Sequence, residues 1–238
     1  MKALIFNSGL GSRMGEQTRT HHKCMTELPG GETILYRQLR LLYAAGIREV
    51  VITTGPFREQ IEATVARFPE MTFTLVDNPR YKETNYIYSF YLAREVLDDD
   101  LLMLHGDLVF DDTLVPMLLQ APSPSACLYN PALPLPEKDF KCRLSDGELR
   151  EVSVKIFGDD CYAFQPLYKL SRDTVVAWIA RICDFVEAGD TGVYAENALN
   201  TITDTLHITA LSYEEHLIDE VDTPEDLVRL TPRIVACG

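Results

Sequence analysis

Apolar and polar residues along the first third of the chain fall into blocks typical of alternating strands and helices. A short apolar run at 3–6 precedes a segment from 34 to 45 whose apolar residues recur at helical spacing. Another apolar run at 50–53 is followed by a helical segment at 57–67 and a third run at 73–76. This alternation predicts an α/β fold with a doubly wound, mostly parallel sheet, whose ligands bind at the carboxyl ends of the strands.

The pattern changes in the second half of the chain. After a helix that begins at Thr84 or Asn85 and an apolar strand within 101–110, the segment from 122 to 136 is rich in proline. Short alternating segments then predict antiparallel strands at 141–144, 149–156 and 161–170. We therefore expect a single domain over 1–238, with a small antiparallel, β-rich excursion at about 122–170.

The first apolar run leads directly into a glycine-rich loop. Gly9 and Gly11 allow backbone torsions closed to other residues and bring N–H groups close to a ligand, as a phosphate site requires. Arg13 and Lys23 add fixed positive charge suited to a polyphosphate. The loop lacks the ending of a P-loop, and Met14 occupies the place of the third small residue of a dinucleotide fingerprint. The simpler alternative is a glycine-rich hairpin with surface cations.

The apolar strand within 101–110 carries the dipeptide Gly106-Asp107. This places a carboxylate at the carboxyl end of a strand, beside the glycine loop if the sheet is wound as predicted. Magnesium takes one or two protein carboxylates together with phosphate oxygens and water, so Asp107 is a candidate Mg²⁺ ligand. The alternative is an aspartate that caps the next helix, a role that suits Asp111 and Asp112 better.

The net charge of the chain restricts the classes of molecule that it can bind. The chain has 22 basic and 36 acidic residues, a net charge of −14, which argues against binding to nucleic acid or to an anionic membrane. An acidic protein that binds a nucleotide must offset the repulsion with arginine, lysine and a divalent metal. We therefore expect Mg²⁺ as the cofactor.

Cysteines and apolar runs indicate the compartment. No Cys-x-x-Cys pair or zinc-like spacing occurs, so we expect reduced thiols at Cys24, Cys127, Cys142, Cys161, Cys183 and Cys237. The N-terminal segment lacks a signal-peptide pattern, and no apolar run approaches the roughly 20 residues of a membrane span. The sequence therefore predicts a cytoplasmic protein, and it leaves a homodimer open.

The glycine loop resembles the start of the nucleotidyltransferases that join a nucleoside triphosphate to a small phosphorylated compound. That family has Leu-Ala-Ala-Gly-x-Gly-x-Arg followed by Pro-Lys; this chain has Asn7-Ser8 for Ala-Ala and His22 for the proline before Lys23. The resemblance implies a Rossmann-like fold of the nucleotide-diphospho-sugar transferase type.

Two later segments resemble one branch, the CTP:phosphocholine and 2-aminoethylphosphonate cytidylyltransferases. Residues 85–92 are similar to its Asn-Asn-x-x-Ser-x-Tyr-Leu segment, with Tyr86 in place of the second asparagine. The Val-Asp-Thr at 221–223 resembles the context of the family's second metal aspartate, which makes Asp222 the match and Asp219 the fallback. The implied reaction joins CMP from CTP to an acceptor phosphate or phosphonate and releases pyrophosphate.

The resemblance also assigns residues to roles. Arg13 and Lys23 are the implied catalytic residues, and Asp107 and Asp222 the metal ligands. The implied nucleotide-binding residues are Ser8, Gly9, Leu10, Gly11, Ser12, Arg13, Lys23, Asn85, Ser89 and Asp107. The implied acceptor-binding residues are Lys141, Arg143, Lys155, Tyr194, Glu196 and Asn197. For the cations of the predicted hairpin the alternative is a solvated face, and Lys155 is the nearest match to a lysine that contacts the acceptor's phosphate.

The segment from Tyr194 to Asn197 bears on the acceptor. Phosphocholine enzymes carry an aromatic residue, Trp, an acid and Asn there, and this chain has Ala195 in place of Trp. Tryptophan is the best ring for cation–π contact with a quaternary ammonium, whereas a primary ammonium is well served by a carboxylate such as Glu196. The substitution favours 2-aminoethylphosphonate over phosphocholine, unless another aromatic rebuilds the cage, for which the candidates are Tyr162, Phe164 and Tyr168.

Other functions stay open at this point. A sugar-1-phosphate nucleotidylyltransferase that uses another nucleoside triphosphate is the nearest alternative. A glycosyltransferase would require Asp-x-Asp at the metal strand, where this chain has His105-Gly106-Asp107. A non-catalytic nucleotide sensor would not need Asp107 and Asp222 together with Lys23.

Overall fold

A mixed sheet with helices on both faces forms the centre of the structure, a computed structural model that describes residues 1–236 apart from the side chains of Ser12, Glu16 and Gln17. The strands are β1 Lys2–Asn7, β2 Glu49–Thr54, β3 Thr72–Asp77, β4 Leu101–His105, β5 Leu108–Phe110, β6 Ala126–Asn130, β7 Lys141–Ser145, β8 Glu148–Ser153, β9 Cys161–Leu170, β10 Thr209–Ser212 and β11 Ile218–Glu220. The α-helices are α1 Ile34–Ala44, α2 Arg58–Val65, α3 Tyr86–Ala93, α4 Leu114–Gln120, α5 Arg172–Glu187, α6 Ala195–Leu199 and α7 Pro224–Ala236.

Nine strands of the described chain form the main sheet, in the order β3-β2-β1-β4-β9-β6-β10-β8-β7. The first four are parallel, as predicted, with Phe6 in register with Thr53 on one side and with His105 on the other. Strand β9 then runs antiparallel to both β4 and β6. The antiparallel strands of the predicted excursion therefore continue the main sheet. Strands β5 and β11 form a separate antiparallel pair.

Helix starts follow the capping residues of the sequence. The side chain of Thr33 accepts a hydrogen bond from the N–H of Tyr36 at the start of α1, and Asn85 accepts one from Tyr86 at the start of α3. Ser171 caps α5 in the same way. At α7, Thr223 and Asp226 exchange side-chain and main-chain hydrogen bonds, a reciprocal cap. These local signals explain why the helix starts predicted at residue 34 and at Thr84 or Asn85 agree with the observed ones.

Alternate residues of the central strands pack on opposite faces of the sheet. Ala3 and Ile5 belong to the core cluster that includes residues of α1 and α4, while Leu4 and Phe6 belong to the one that includes residues of α3 and α5. Trp178 of α5 is fully buried, and its indole N–H donates to the carbonyl oxygen of Ala195 at 2.9 Å. The strands are thus covered on both faces, and only their ends remain to bind a ligand.

The described cysteines and helices complete the fold. Five cysteines have free thiols: Cys24, Cys127, Cys142, Cys161 and Cys183. Cys237 lies outside the described residues. Over residues 1–236, no helix combines the length and the apolar composition that crossing a membrane requires.

Candidate active site

A cleft of about 540 Å³ opens at the carboxyl ends of β1 and β4. Three turns contribute to it: the glycine loop after β1, the Gly106-Asp107 turn after β4, and the turn between β11 and α7 that carries Asp222. The main-chain N–H of Val221 donates to the carbonyl oxygen of Asp107 at 3.0 Å, which joins the second turn to the third. The cleft therefore brings both ends of the chain to one site.

Two glycines allow these turns to approach closely. Gly11 has a φ of 61°, in the left-handed region, and a Cβ atom there would lie 2.8 Å from the Cβ of Lys23. A Cβ atom on Gly106 would lie 1.7 Å from Oδ1 of Asn7. A side chain at either position would therefore separate the glycine loop from Lys23 or from the turn that carries Asp107.

Lys23 lies at the centre of the charged groups. Its Nζ donates to Oδ2 of Asp107 at 2.6 Å and also forms an ion pair with Asp222. The guanidinium of Arg13 contacts the other oxygen of Asp222 at 2.6 Å. The structure thus brings together the two residues predicted to act in catalysis and the two predicted to bind metal.

The charges of this cluster support one another. Burial by itself lowers the pKa of Lys23, but the carboxylates of Asp107 and Asp222 outweigh burial and hold that pKa above its usual value. Burial conversely raises the pKa of Asp107, and the charge of Lys23 outweighs it, so the pKa of this carboxyl is lowered. Lys23 is therefore an ammonium and Asp107 a carboxylate at neutral pH.

Further side chains of the types that ligate metals lie near this pair. Ligand atoms of His105, Asp107 and Glu220 lie within 4.8 Å of one another, as do those of Asp139, Glu220 and Asp222. In the described chain, Oδ1 of Asp107 is buried without a hydrogen-bond partner. Carboxylate oxygens are the ligands that Mg²⁺ prefers. The residues present therefore fit a divalent hard cation, with Asp107 in one of these groups and Asp222 in the other.

Sequence reasoning missed His105, Asp139 and Glu220. His105 Nδ1 lies 3.3 Å from Oε1 of Glu220, and burial together with the charge of Asp107 raises the pKa of Glu220 to about 7. Glu220 could have been found, because it stands two residues before Asp222 and so points to the same side of an extended segment. Asp139 carried no such signal, since it lies in an irregular segment between β6 and β7.

Most of the predicted nucleotide-binding residues line the cleft. Ser8, Gly9, Leu10, Gly11 and Arg13 all contribute to it, while the side chain of Ser12 lies outside the described part of the structure.

Asn85 and Ser89 also line the cleft. Ser89 is fully buried, where its hydroxyl lies 2.5 Å from that of Ser8 and accepts a hydrogen bond from Asn78 at 2.9 Å. These contacts make Ser89 a support for the glycine loop, while Asn85 caps α3 at the edge of the cleft.

Aromatic rings form another part of the lining. The ring of Tyr194, a predicted acceptor residue, lies 4.9 Å from that of Phe140 and 6.1 Å from that of Tyr86. The ring of Tyr86 in turn lies 4.7 Å from the imidazole of His105. This aromatic group, Tyr86, Phe140 and Tyr194, faces the cleft beside Asp139 and Glu220.

The predicted acceptor role of Lys141 does not agree with the structure. Lys141 is fully buried, and its ammonium donates to the carbonyl oxygens of Pro136, Asp139 and Val154 at 2.7, 3.1 and 2.7 Å. An ammonium has three N–H donors, and all three are used here. Lys141 therefore holds the segment before β7 against the end of β8.

Four other predicted acceptor residues are also outside the cleft lining formed by the described side chains: Arg143, Lys155, Glu196 and Asn197. Arg143 forms ion pairs with Glu151 and with Asp160, the latter at 2.9 Å, on the antiparallel end of the sheet. Lys155 and Asn197 are exposed. Lys155 follows a cleft residue, Val154, so its role stays a prediction.

Glu196 lies beneath the aromatic group. It is fully buried, and it accepts hydrogen bonds from the hydroxyls of Tyr86 and of Tyr168, the latter at 3.1 Å. Burial raises the pKa of Glu196 to about 8. Ala195 is also fully buried, and it is not among the described residues that line the cleft. Glu196 thus orients Tyr86, and contact with an acceptor would require the cleft to open further.

The sequence and the fold match known proteins. The family model of the MobA-like NTP transferase domain matches residues 3–133. The chain is 37% identical over 127 residues to the CMP-5'-(3-aminopropyl)phosphonate synthase of Streptomyces rubellomurinus, an alignment that covers 53% of this chain and 20% of that protein. It is 26% identical over 228 residues to the 2-aminoethylphosphonate cytidylyltransferase of Lancefieldella rimae, covering 94% of this chain and 89% of the relative.

A solved structure, of the CTP:phosphocholine cytidylyltransferase from Streptococcus pneumoniae, superimposes with a TM-score of 0.80 and 19% identity over 98% of both chains. At this identity the likeness shows the fold alone. It agrees with the predicted nucleotide-diphospho-sugar transferase type.

Proposed function

The chain belongs to the MobA-like NTP transferase domain family, and we propose that it is a cytidylyltransferase that transfers CMP from CTP to a small phosphonate or phosphate acceptor. The observation that carries the proposal is the ammonium of Lys23 between the carboxylates of Asp107 and Asp222, beside the glycine loop. The alternative interpretation, a glycine-rich hairpin with surface cations, would not require this buried cluster of charged side chains. The relatives that act on phosphonates support the choice of CTP and of the acceptor class.

In the proposed reaction, an oxygen of the acceptor attacks the α-phosphorus of CTP in line. A new P–O bond forms to the acceptor, the bond between the α-phosphorus and the bridging oxygen breaks, and pyrophosphate leaves with the electron pair. Mg²⁺ held by Asp107 and Asp222 would supply charge neutralisation at the phosphates. No side-chain nucleophile is required, because positioning and charge neutralisation supply most of the catalysis.

Lys23 would change partners during this reaction. Its present partners, Asp107 and Asp222, are the residues that would hold the metal, and a bound divalent cation would compensate their charge in place of the ammonium. The ammonium of Lys23, which lies beside the glycine loop, would then be available to neutralise phosphate oxygens together with Arg13.

The head group of the acceptor would bind on the aromatic side of the cleft. Rings of Tyr86, Phe140 and Tyr194 lie there beside the carboxylates of Asp139 and Glu220. A primary ammonium donates three hydrogen bonds and gains from both kinds of group, whereas a quaternary ammonium gains mainly from the rings. We therefore keep the order proposed from the sequence, 2-aminoethylphosphonate first and phosphocholine next.

The preference for 2-aminoethylphosphonate over phosphocholine now rests on different residues. The first argument rested on Ala195, which is buried, and the rings suggested as substitutes do not line the described cleft either: Phe164 and Tyr168 are buried, and Tyr162 packs on Tyr129. The support now comes from the carboxylates of Asp139 and Glu220. A cytoplasmic location and Mg²⁺ as the metal belong to the same proposal.

The test is a matrix of the four common nucleoside triphosphates against 2-aminoethylphosphonate, phosphocholine, phosphoethanolamine and sugar 1-phosphates, with Mg²⁺, read by pyrophosphate release. We expect turnover with CTP and the highest kcat/KM with 2-aminoethylphosphonate. Turnover only with a sugar 1-phosphate and another nucleotide would replace the proposal with the nearest alternative. Binding of CTP without pyrophosphate release from any acceptor would indicate a nucleotide sensor.

A further inference from the structure

The side chain of Tyr86 extends from the cleft to a buried carboxyl group. Tyr86 contributes to the cleft lining, and its hydroxyl donates to Oε2 of Glu196, which is fully buried. Glu196 is not among the described residues that line the cleft. The ring of Tyr86 therefore lies between the cleft and a carboxyl group that solvent does not reach.

Other rings surround that of Tyr86. Its centroid lies 5.1 Å from that of Phe6, 4.7 Å from that of the His105 imidazole and 6.1 Å from that of Tyr194. Phe6, His105 and Tyr194 line the cleft as well. The space that the Tyr86 ring fills is therefore continuous with the cleft, has aromatic walls and ends at the carboxyl group of Glu196.

Contacts behind Glu196 hold it in place independently of Tyr86. The hydroxyl of Tyr168, a fully buried residue, donates to Oε1 of Glu196 at 3.1 Å. The indole N–H of Trp178 donates to the carbonyl oxygen of Ala195 at 2.9 Å, and the rings of Trp178 and Tyr168 pack at 5.8 Å. Because a packed interior relaxes only partly around a deleted side chain, removal of the Tyr86 ring would leave an open space in front of Glu196.

The chemistry of that space suits a bulky organic cation. Aromatic faces attract a quaternary ammonium, which has no N–H to donate, and a carboxylate adds opposite charge. A trimethylammonium group has fewer heavy atoms than the phenol whose place it would take. In the present chain the phenol of Tyr86 occupies this space, so the head group of an acceptor stays on the near side, beside Asp139 and Glu220.

We propose that Tyr86 determines the acceptor specificity of this site, by closing a pocket between Phe6, Tyr194 and Glu196 that would otherwise admit a quaternary ammonium group. This inference rests on the proposed function, because it requires an acceptor with an ammonium head group in the cleft. It gives a steric reason for the preference for 2-aminoethylphosphonate, separate from hydrogen bonds between the ammonium and the carboxylates of the cleft. The two reasons predict different behaviour for variants of Tyr86.

The test uses acceptors that differ in size at constant charge: 2-aminoethylphosphonate and its N-methyl, N,N-dimethyl and N,N,N-trimethyl derivatives. The kcat/KM of each is measured with CTP and Mg²⁺ by pyrophosphate release, for wild type, Tyr86→Ala, Tyr86→Leu and Tyr86→Phe. Alanine and leucine both remove the ring, and leucine keeps apolar contact with the neighbouring rings. Phenylalanine keeps the ring and loses the hydroxyl. Thermal unfolding of each protein is measured in parallel.

In wild type we expect kcat/KM to fall by about tenfold or more from the primary to the trimethyl compound, as for groups that a pocket cannot accommodate. In Tyr86→Ala and Tyr86→Leu this fall should shrink to less than about threefold, through a lower KM for the trimethyl compound with the KM for CTP unchanged. Tyr86→Phe should keep the wild-type order of acceptors, because its ring still closes the pocket. Adding Glu196→Gln to Tyr86→Ala should raise the KM for the trimethyl compound again, because the opened pocket loses its negative charge.

An equal fall across the series in wild type and in a folded Tyr86→Ala or Tyr86→Leu would assign the preference to hydrogen bonds with the carboxylates and overturn the inference. A wild-type protein that uses the trimethyl compound as well as the primary amine would also overturn it, without recourse to any variant. Failure of wild type to release pyrophosphate from CTP with every acceptor would refute the proposed function itself. Normal wild-type turnover with a preference that does not respond to Tyr86 refutes only the role of Tyr86.

Discussion

Replacing Lys23 with methionine is expected to destabilise the metal-free protein and to make its stability depend on Mg²⁺. The ammonium of Lys23 compensates the carboxylates of Asp107 and Asp222, and its side chain is only 10% exposed. Methionine retains much of the side-chain volume but removes the charge. The two carboxylates would then face each other, with Glu220 close to both.

The size of the expected loss of stability follows from the burial of this ion pair. Removing one partner of a buried ion pair costs about 3–5 kcal/mol, because the remaining charge has lost its compensation. The lower end, about 3 kcal/mol, applies here since the side chain of Asp107 is 22% exposed and the cleft admits water. For a chain of this length such a loss lowers Tm by about 6–12 °C.

The assay is urea unfolding of wild type and Lys23→Met, each in EDTA and in excess Mg²⁺. We expect Mg²⁺ to stabilise the variant more than wild type, because a bound cation replaces the missing charge. Lys82→Met is the control, an exposed lysine of the same cleft whose loss should change stability by less than about 0.5 kcal/mol. A variant as stable as wild type in EDTA, or equally affected by Mg²⁺, would refute the reasoning.

Four further outcomes are expected. Asp222→Asn should lower the rate of pyrophosphate release by about 10²-fold or more with the far-UV spectrum unchanged, and wild-type turnover would remove Asp222 from the metal site. Burial raises the pKa of Glu196 to about 8, whereas a glutamate in the unfolded chain titrates near ~4.3. Between these two pH values the folded chain therefore keeps a proton that the unfolded chain loses. The contribution of Glu196 to stability should therefore be greatest below pH ~4.3 and fall toward pH 8 by up to ~1.4 kcal/mol per pH unit, and Glu196→Gln should remove this part of the slope in urea unfolding; an unaltered slope would contradict the burial argument. Lys141→Met should cost about 1–3 kcal/mol through unpaired carbonyls without a selective rise in acceptor KM, whereas a selective rise at full stability would restore its predicted acceptor role. Phe140→Leu should raise acceptor KM about threefold with CTP KM unchanged, and equal changes in both would place Phe140 outside the acceptor pocket.

The sequence predicted the parallel half of the sheet and its loops because their signals are local. A capping residue such as Thr33 acts on the next turn of helix, and Gly11 is required by torsions and contacts of its own loop. The approach of Lys23 to Asp107 and Asp222 was predicted only through family resemblance. Periodicity alone gave no reason for the last turn of the chain to meet the first loop.

Burial by other segments was the part that the sequence did not reveal. Lys141 stands on an alternating strand like a solvated residue, yet residues before β7 and the end of β8 close over it. Ala195 and Glu196 belong to a short helix whose inward side depends on packing against α5. His105 could be recognised as a site residue only from its contact with Glu220, which lies 115 residues away in the sequence. These side chains are buried by tertiary contacts between segments that lie far apart in the sequence, so no short stretch of sequence predicts their burial.

The ion pair between Lys23 and Asp222 also has a consequence for how the protein is made. The two residues are 199 positions apart, so a ribosome that adds about 5–20 residues per second delivers the second roughly 10–40 s after the first. During that interval the emerging chain can carry a complete glycine loop and Asp107, but it lacks the carboxylate that completes the cluster. A nascent chain that binds a nucleotide early would therefore hold it without the means to react, and chemical competence would begin only when the turn after β11 docks beside the turn after β4.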